Sequence, residues 1–321
     1  MSAFWEQVGG CLERGERVFV ACVAESTRGS PGTAGAKLLV AEGGELYGTV
    51  GGGLMEHRLV EQARELLRGG GARPEKRTLV HSDTTEGEQS GMVCEGSQTN
   101  VFCVLADDGD RAIVDALATA VRDDRPAWMA VDAEGLRLVE READFSRPPF
   151  ALTGEGESWR YEEDLLNRRR LAVIGGGHCA VALAEAMAPL GYRSRIFDTR
   201  TEVVTHDRAA RVGTVIHVAD YAEAGPLIAW PELTAVVVMT ADYRTDVRAL
   251  LGTADLPVAF VGLMGGRRKV ARIFGHLREE GVSQEVLDQV HAPVGLDIGS
   301  DTPEEIAVSV AAQILRERNR G

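Results

Sequence analysis

Residues 171–200 read LAVIGGGHCAVALAEAMAPLGYRSRIFDTR, and the order of residue types in this stretch decides the fold. Leu171–Ile174 is a short apolar run of the kind that forms a strand buried on both faces. Gly175, Gly176 and Gly177 follow with no spacer, and His178–Leu190 is rich in alanine and other good helix formers. Gly191 stops that helix, and Arg193–Phe197 supplies a second strand ending on Asp198. The glycine pattern is G-x-G-x-x-A at Gly175, Gly177 and Ala180, with Asp198 lying 23 positions after Gly175, close to the spacing of a dinucleotide fingerprint. Gly175 lets the chain turn sharply, Gly177 lets a phosphate approach the backbone, and Ala180 lets helix and strand pack closely. The helix start offers free N–H groups and a partial positive charge to an anion, and Asp198 is suited to accept from a ribose diol.

Strand and helix keep alternating after Asp198. Thr214–Val218, Ala235–Met239 and Val258–Val261 read as strands, with helices over Ala222–Trp230 and around Asp246–Leu251. Gly262, Gly265 and Gly266 precede Arg267, Arg268 and Lys269, which open another helix. Alternation of this kind means a parallel sheet with helices on both faces, and ligands on such sheets sit at the carboxyl ends of the strands. Gly175–His178, Asp198, Thr240 and Gly262–Arg268 all fall at such ends. A closing helix over Pro303–Arg318 begins with Thr302 as N-cap and Glu305 completing a capping box.

The N-terminal half reads differently. A helix over Phe4–Arg14 is followed by strands at Arg17–Ala24, Ala36–Ala41 and Leu46–Val50. The last strand runs into Gly51, Gly52 and Gly53 and then a helix over Leu54–Arg68, a second place where backbone N–H groups face a prospective anion. Glu56 lies in its first turn, either complementing the helix dipole or facing a cleft. A long polar loop then carries Cys94. Periodicity fades from about Ala143 to Asn167, where Pro148, Pro149, Gly154 and Gly156 read as an interdomain connection. The fold expected is therefore α/β: an N-terminal α+β domain over 1–145, a linker over 146–167, and a C-terminal Rossmann-type parallel-sheet domain over 168–321.

Composition narrows the function. The chain has 321 residues, 44% of them hydrophobic, and a net charge of −14 from 35 basic and 49 acidic residues. That balance argues against nucleic acid or anionic membrane as a generic partner, and suits the cytoplasm. The five cysteines form no C-x-x-C pair, so neither a disulfide framework nor a zinc knuckle is indicated. Cys22 and Cys103 fall in strand patterns and read as core, whereas Cys179 falls in a first helical turn, where the dipole lowers a thiol pKa. No apolar run approaches the roughly 18 residues of a membrane helix.

Several of these stretches together resemble the XdhC/CoxI family of molybdenum-hydroxylase maturation proteins. They are ESTRGSPGTAGAKLLV, GTVGGGLMEHRLVEQA, GMVCEG, the 171–200 stretch, VGLMGGRRK and HAPVGLDIGSDTPEEIAVSVAAQIL, covering nearly the whole chain. The resemblance implies a non-catalytic role. Such proteins hold the molybdenum cofactor, as molybdopterin or its dinucleotide form, during sulfuration. They deliver it to an apo molybdenum hydroxylase of the xanthine dehydrogenase or CO dehydrogenase type, with a cysteine desulfurase as a further candidate partner. A homodimer is expected on general grounds alone. The residues this assigns to cofactor binding are Gly52, Gly53, Glu56, Cys94, Gly175, Gly177, His178, Asp198, Arg267 and Arg268, with no catalytic and no metal-ligating residue. The chain departs from the family pattern at Leu54, where many relatives carry a cysteine, and at Glu95, Ala241 and Gly266. An NAD(P)-dependent oxidoreductase, or a nucleotide sensor using the same Rossmann loop, stays open as the alternative.

Overall fold

The computed structural model describes residues 2–70, 73–81 and 96–320. The chain divides into two compact units, Met1–Leu166 and Asn167–Gly321.

The first unit opens with helix α1 (Ser2–Glu13) and strands β1 (Val18–Ser26), β2 (Lys37–Ala41) and β3 (Leu46–Gly48). Helix α2 (Gly53–Arg68) follows, then β4 (Glu75–His81) and β5 (Gly96–Leu105). These strands form one antiparallel sheet in the order β3-β2-β1-β5-β4. Central strand β1 is apolar along most of its length because both of its faces are covered. Phe19, Ala21 and Val23 pack with Met55, Leu59, Ala63 and Leu67 of α2. Val18, Val20 and Cys22 turn the other way, into a core shared with α1 and with helix α3 (Asp108–Arg122). Cys22 and Cys103 are buried there, and burial pushes the Cys22 thiol up to about 12.

A second antiparallel sheet comprises β6 (Ala127–Asp132), β7 (Gly135–Glu140), β8 (Phe150–Thr153) and β9 (Arg160–Asp164), in the order β7-β6-β9-β8. The stretch 146–167, expected as a connection, thus supplies two strands of the first unit. Its prolines and glycines flank β8 and the turn into β9, and the Glu162-Glu163-Asp164 run masks β9 as a buried strand. Glu163 is buried because it meets Lys37 from the other sheet: Nζ lies 2.6 Å from Glu163 Oε1 and donates to the Gly35 carbonyl at 3.0 Å. The Tyr161 hydroxyl donates to Glu163 Oε2 at 3.0 Å.

The second unit contains β10 (Arg170–Ile174), α4 (His178–Met187), β11 (Arg193–Asp198), the single turn α5 (His206–Ala209) and β12 (Gly213–His217). It continues with β13 (Thr234–Val238), α6 (Tyr243–Thr253), β14 (Phe260–Leu263), α7 (Arg267–Glu279), α8 (Gln284–Gln289), β15 (Val290–His291) and α9 (Pro303–Arg318). All six strands are parallel, in the order β12-β11-β10-β13-β14-β15, the winding of a dinucleotide-binding sheet. Leu171 and Val173 face α4 and α9, while Ala172 and Ile174 face α6 and α7, which is why β10 reads as an unbroken apolar run. The helix expected over Ala222–Trp230 is a 3-10 helix, Tyr221–Leu227; Pro226 inside it removes a backbone donor and a regular α-helical ladder with it. Among the described residues, no helix is long and apolar enough to cross a membrane.

Lys37→Met leaves the Glu163 carboxylate buried without its cation, and is expected to destabilise the first unit by roughly 3–5 kcal/mol. Urea unfolding followed by fluorescence of Trp5, Trp128 and Trp159 would measure it. Adding Glu163→Leu should recover most of the loss, whereas a single-variant cost under about 1 kcal/mol would mean the pair is solvated in solution.

Candidate functional site

The carboxyl edge of the parallel sheet gathers the residues that the glycine fingerprint pointed to. The chain winds outward from β10 through β11 to β12 and returns as β13 on the other side of β10, so the switch point lies between β10 and β13. Gly175 sits there with φ +111, and a Cβ at this residue would lie 2.5 Å from the Met239 carbonyl at the end of β13. Only glycine fits that approach. Gly177, by contrast, has φ −78, and a Cβ there would meet nothing within 4 Å. Its space is open, and no side chain caps α4 behind it. His178, the first residue of that helix, is exposed. The N–H groups of this first turn therefore face outward at the positive end of the helix dipole.

Two further helices open along the same edge. Between β13 and β14, α6 is capped from within: Asp242 accepts from the backbone N–H of Arg244 at 2.8 Å and of Thr245 at 3.2 Å. After β14, α7 starts at Gly266 with no side-chain cap, and a Cβ at Gly266 would also meet open space. Arg267 and Arg268 are exposed there and form no ion pair among the described residues. Thus α4 and α7 keep free N-termini, while α6 already holds its own carboxylate.

Asp198 does not play the part its spacing suggested. Its carboxylate has no exposed surface and is surrounded by donors of the protein itself. Oδ2 accepts from Gly176 N–H at 2.6 Å and from Arg200 Nη2 at 2.7 Å. Oδ1 accepts from Arg200 N–H and Nε, each at 2.9 Å, and from the Tyr221 hydroxyl at 3.3 Å. Burial pushes the carboxyl up, but the Arg200 side chain and the backbone N–H groups of Arg200 and Gly176 outweigh it and hold the pKa at about 2. With those lone pairs occupied, Asp198 is corrected from ribose acceptor to internal anchor of the glycine turn. Arg200, two residues further on, was the signal available for this.

The glycine turn of the first unit is closed in the same way. Gly51, Gly52 and Gly53 all have positive φ, at +130, +75 and +68. Glu56 folds back over them: its Oε2 accepts from the Thr49 hydroxyl at 2.5 Å, Val50 N–H at 2.9 Å and Gly52 N–H at 3.1 Å. The Glu56 carboxylate thus takes the Gly52 N–H, while α2 behind it starts without a side-chain cap. Gln98, fully buried, ties this turn to the preceding loop. Its Oε1 accepts from Gly32 N–H at 3.0 Å and the Ser30 hydroxyl at 3.1 Å, while Nε2 donates to the Val50 carbonyl at 2.9 Å. Leu54 is 45% exposed. Cys94 lies outside the described residues.

A Thr-Asp-Lys cluster between α6 and α7, with Thr240 and Asp246 buried and Lys269 half-buried, was not anticipated. Asp246 Oδ1 accepts from the Thr240 hydroxyl at 2.6 Å, and Lys269 Nζ lies 2.5 Å from Oδ2. The available signal was helical periodicity, which puts Asp246 on the same buried stripe as Ala249, Leu250 and Thr253. The Cys179 thiol also departs from expectation: burial, with the Glu304 carboxylate adding to it, raises its pKa rather than lowering it.

Asp198→Asn keeps the shape and removes the charge. The folded-state value lies below the ordinary aspartate value of about 3.9, so the ionised group contributes stability that is present above about pH 5 and is lost as pH falls through about 2. The difference in urea midpoint between parent and variant should therefore hold steady from about pH 7 to 5 and shrink from about pH 4 to 2. A difference that stays flat over the lower range would contradict the anchoring role.

Comparison with known proteins agrees with this architecture. A family model described as the XdhC Rossmann domain matches residues 171–314, and one described as the XdhC and CoxI family matches residues 11–83. YqeB of Escherichia coli is 27% identical over 310 residues, covering 96% of this chain and 45% of that protein. A probable xanthine dehydrogenase subunit of Bacillus subtilis is 28% identical over 47% of this chain and 43% of its own length. The chain thus spans less than half the length of these two relatives. The molybdenum cofactor insertion chaperone PaoD of Escherichia coli is 23% identical over 96% of this chain and 85% of its own length. A solved structure titled as a xanthine dehydrogenase from Bacillus halodurans superposes with a TM-score of 0.74 over 99% of this chain and 96% of that one, at 19% identity, and shows a common fold. With both family models matched in order, on the glycine turn of each unit, the chain belongs to the XdhC and CoxI family.

Proposed function

We propose that this protein is a maturation factor for molybdenum hydroxylases: it binds the molybdenum cofactor as cargo, holds it during sulfuration, and delivers it to an apo-enzyme of the xanthine dehydrogenase or CO dehydrogenase type. The reading draws on family membership and on likeness to a relative named as a molybdenum cofactor insertion chaperone along 96% of this chain. Its partners are then the apo-hydroxylase as recipient and a cysteine desulfurase as sulfur donor, with the factor acting as a homodimer in the cytoplasm.

The observation that carries it is the open turn at Gly177 and His178. The cargo ends in a phosphate or pyrophosphate, and this turn offers outward N–H groups, no competing cap and room for the phosphate oxygens. Arg267 and Arg268 supply exposed guanidinium groups, without an ion pair among the described residues, on the same edge, suited to a phosphate's second oxygen pair. Gly175 supports the turn, and Cys94 is the candidate thiol toward the cargo's metal end. The oxidoreductase alternative draws less from this geometry. A nicotinamide dinucleotide held by such a fingerprint relies on the acid after the second strand for its ribose, and here Arg200, Tyr221 and Gly176 already occupy that acid.

Protein co-expressed with an active cofactor pathway and purified anaerobically should carry pterin and molybdenum near one per chain. Gly177→Val, whose side chain enters open space, should keep the parent's circular dichroism and lose about tenfold or more of the bound pterin. Cys94→Ala tests the thiol in the same assay. Absence of pterin alongside saturable NAD(P) binding would reject the chaperone reading in favour of the nucleotide one.

A further inference from the structure

The first unit holds a cleft that the glycine turns do not use. It has a volume of about 450 Å³ and opens where the ends of β1 and β5 meet β8. It is lined by Glu25, Ser26 and Thr27 at the end of β1 and by Pro148, Pro149 and Phe150 at the start of β8. The size is that of a pocket for a small bicyclic ligand.

Each wall is built for a particular kind of contact. A bulge interrupts the β1–β5 pairing between Val23 and Glu25, so that Val23 still faces Asn100 while Glu25 faces Thr99. The extra residue, Ala24, breaks the alternation and re-aims the end of β1, which brings Glu25 and Ser26 to the cleft. The Glu25 carboxylate is exposed and makes no hydrogen bond or ion pair among the described residues. Its neighbour Thr27 does not compete for the space, because its hydroxyl already accepts from Ser97 N–H at 2.7 Å. The Phe150 ring is held in place: Gly35 has φ +85, and a Cβ there would lie 2.3 Å from the ring, so the ring fills the space a side chain would need. The Pro149 carbonyl accepts from Asp164 N–H at 2.9 Å, which pins the proline wall to β9. A held aromatic ring and a carboxylate without a partner among the described residues thus line one cleft of bicyclic size.

We infer that this cleft binds a flat heterocycle carrying a 2-amino-4-oxopyrimidine edge, with Glu25 accepting from its ring N–H and its exocyclic amine and Phe150 packing on its face. That edge presents two parallel donors with the spacing of a carboxylate's two oxygens, the same fork-to-fork match that makes guanidinium–carboxylate pairs strong. An adenine edge offers a donor beside an acceptor, and the acceptor would face a carboxylate oxygen. Pterins and guanine share the matching edge. The identification of a pterin as the natural ligand rests on the cofactor-carrier reading; the complementarity of the cleft does not.

The test uses the full chain and phosphate-free 6-hydroxymethylpterin, whose own fluorescence reports binding, with guanosine and adenosine as the other arms. The pterin and guanosine should saturate and adenosine should not. Glu25→Gln should weaken the first two by about tenfold or more, because the amide offers one acceptor in place of two. Phe150→Leu, which keeps apolar bulk against the core, should weaken them by a few-fold as the stacking surface is lost. Whichever of the two binds tighter identifies the source of the edge. No saturable binding by either, equal binding of adenosine, or an unchanged affinity in Glu25→Gln would overturn the inference. None of the probes carries a phosphate, so none of them reads the turn at Gly177. A failure at the cleft is thereby separate from a failure of the cofactor-carrier reading, which the co-purification assay decides.

Discussion

The carboxylate of Asp198 gathers Gly176, Arg200 and Tyr221 around itself, and the shape of the Rossmann edge follows from that gathering. Three strand ends converge there, each leaving backbone groups that need partners. A buried negative charge is costly unless it is hydrogen-bonded, and here it draws a loop N–H, a guanidinium and a phenol into one network. The glycine turn is fixed from below by protein, so its upper side, at Gly177, is the part left for a ligand. Gly176 is locked by the same contact, because a Cβ there would lie 2.5 Å from Asp198 Oδ2.

The first unit solves the same problem with Glu56. Three successive glycines with positive φ leave backbone N–H groups in need of partners; the Glu56 carboxylate takes those of Val50 and Gly52, and the Thr49 hydroxyl takes that of Gly51. The two glycine turns look alike in sequence and differ in outcome. In one, the acid folds back from the first turn of the following helix; in the other, it stands at the end of the neighbouring strand, and in neither does a side chain cap the helix itself.

The same contrast marks how far local sequence reaches. The Rossmann unit was legible because its strands are buried on both faces and read as apolar runs, and because glycine and the strand-end acid stand at fixed spacings. In the second sheet of the first unit β8 and β9 were not, since β9 places Glu163 in the core and only its distant partner Lys37, far along the chain, makes that tolerable. Local periodicity cannot register a charge neutralised from another sheet. Asp198 was found by its spacing and misread in its role, because spacing locates an acid without showing which donors reach it. Glu25 carried no signal, as its place depends on a bulge that appears only once β1 and β5 are paired.

The side chain of Gln98 has a dynamic consequence. It is buried, it holds Gly32 with its oxygen and Val50 with its nitrogen, and a Cβ on Gly32 would press to 2.3 Å from that same Val50 carbonyl. Neither loop can lift away without stranding an amide in the core, so the two open together or not at all. Segments of the chain separated by β2 and β3 therefore behave as one cooperative unit on the timescale of local unfolding, breathing as a single body.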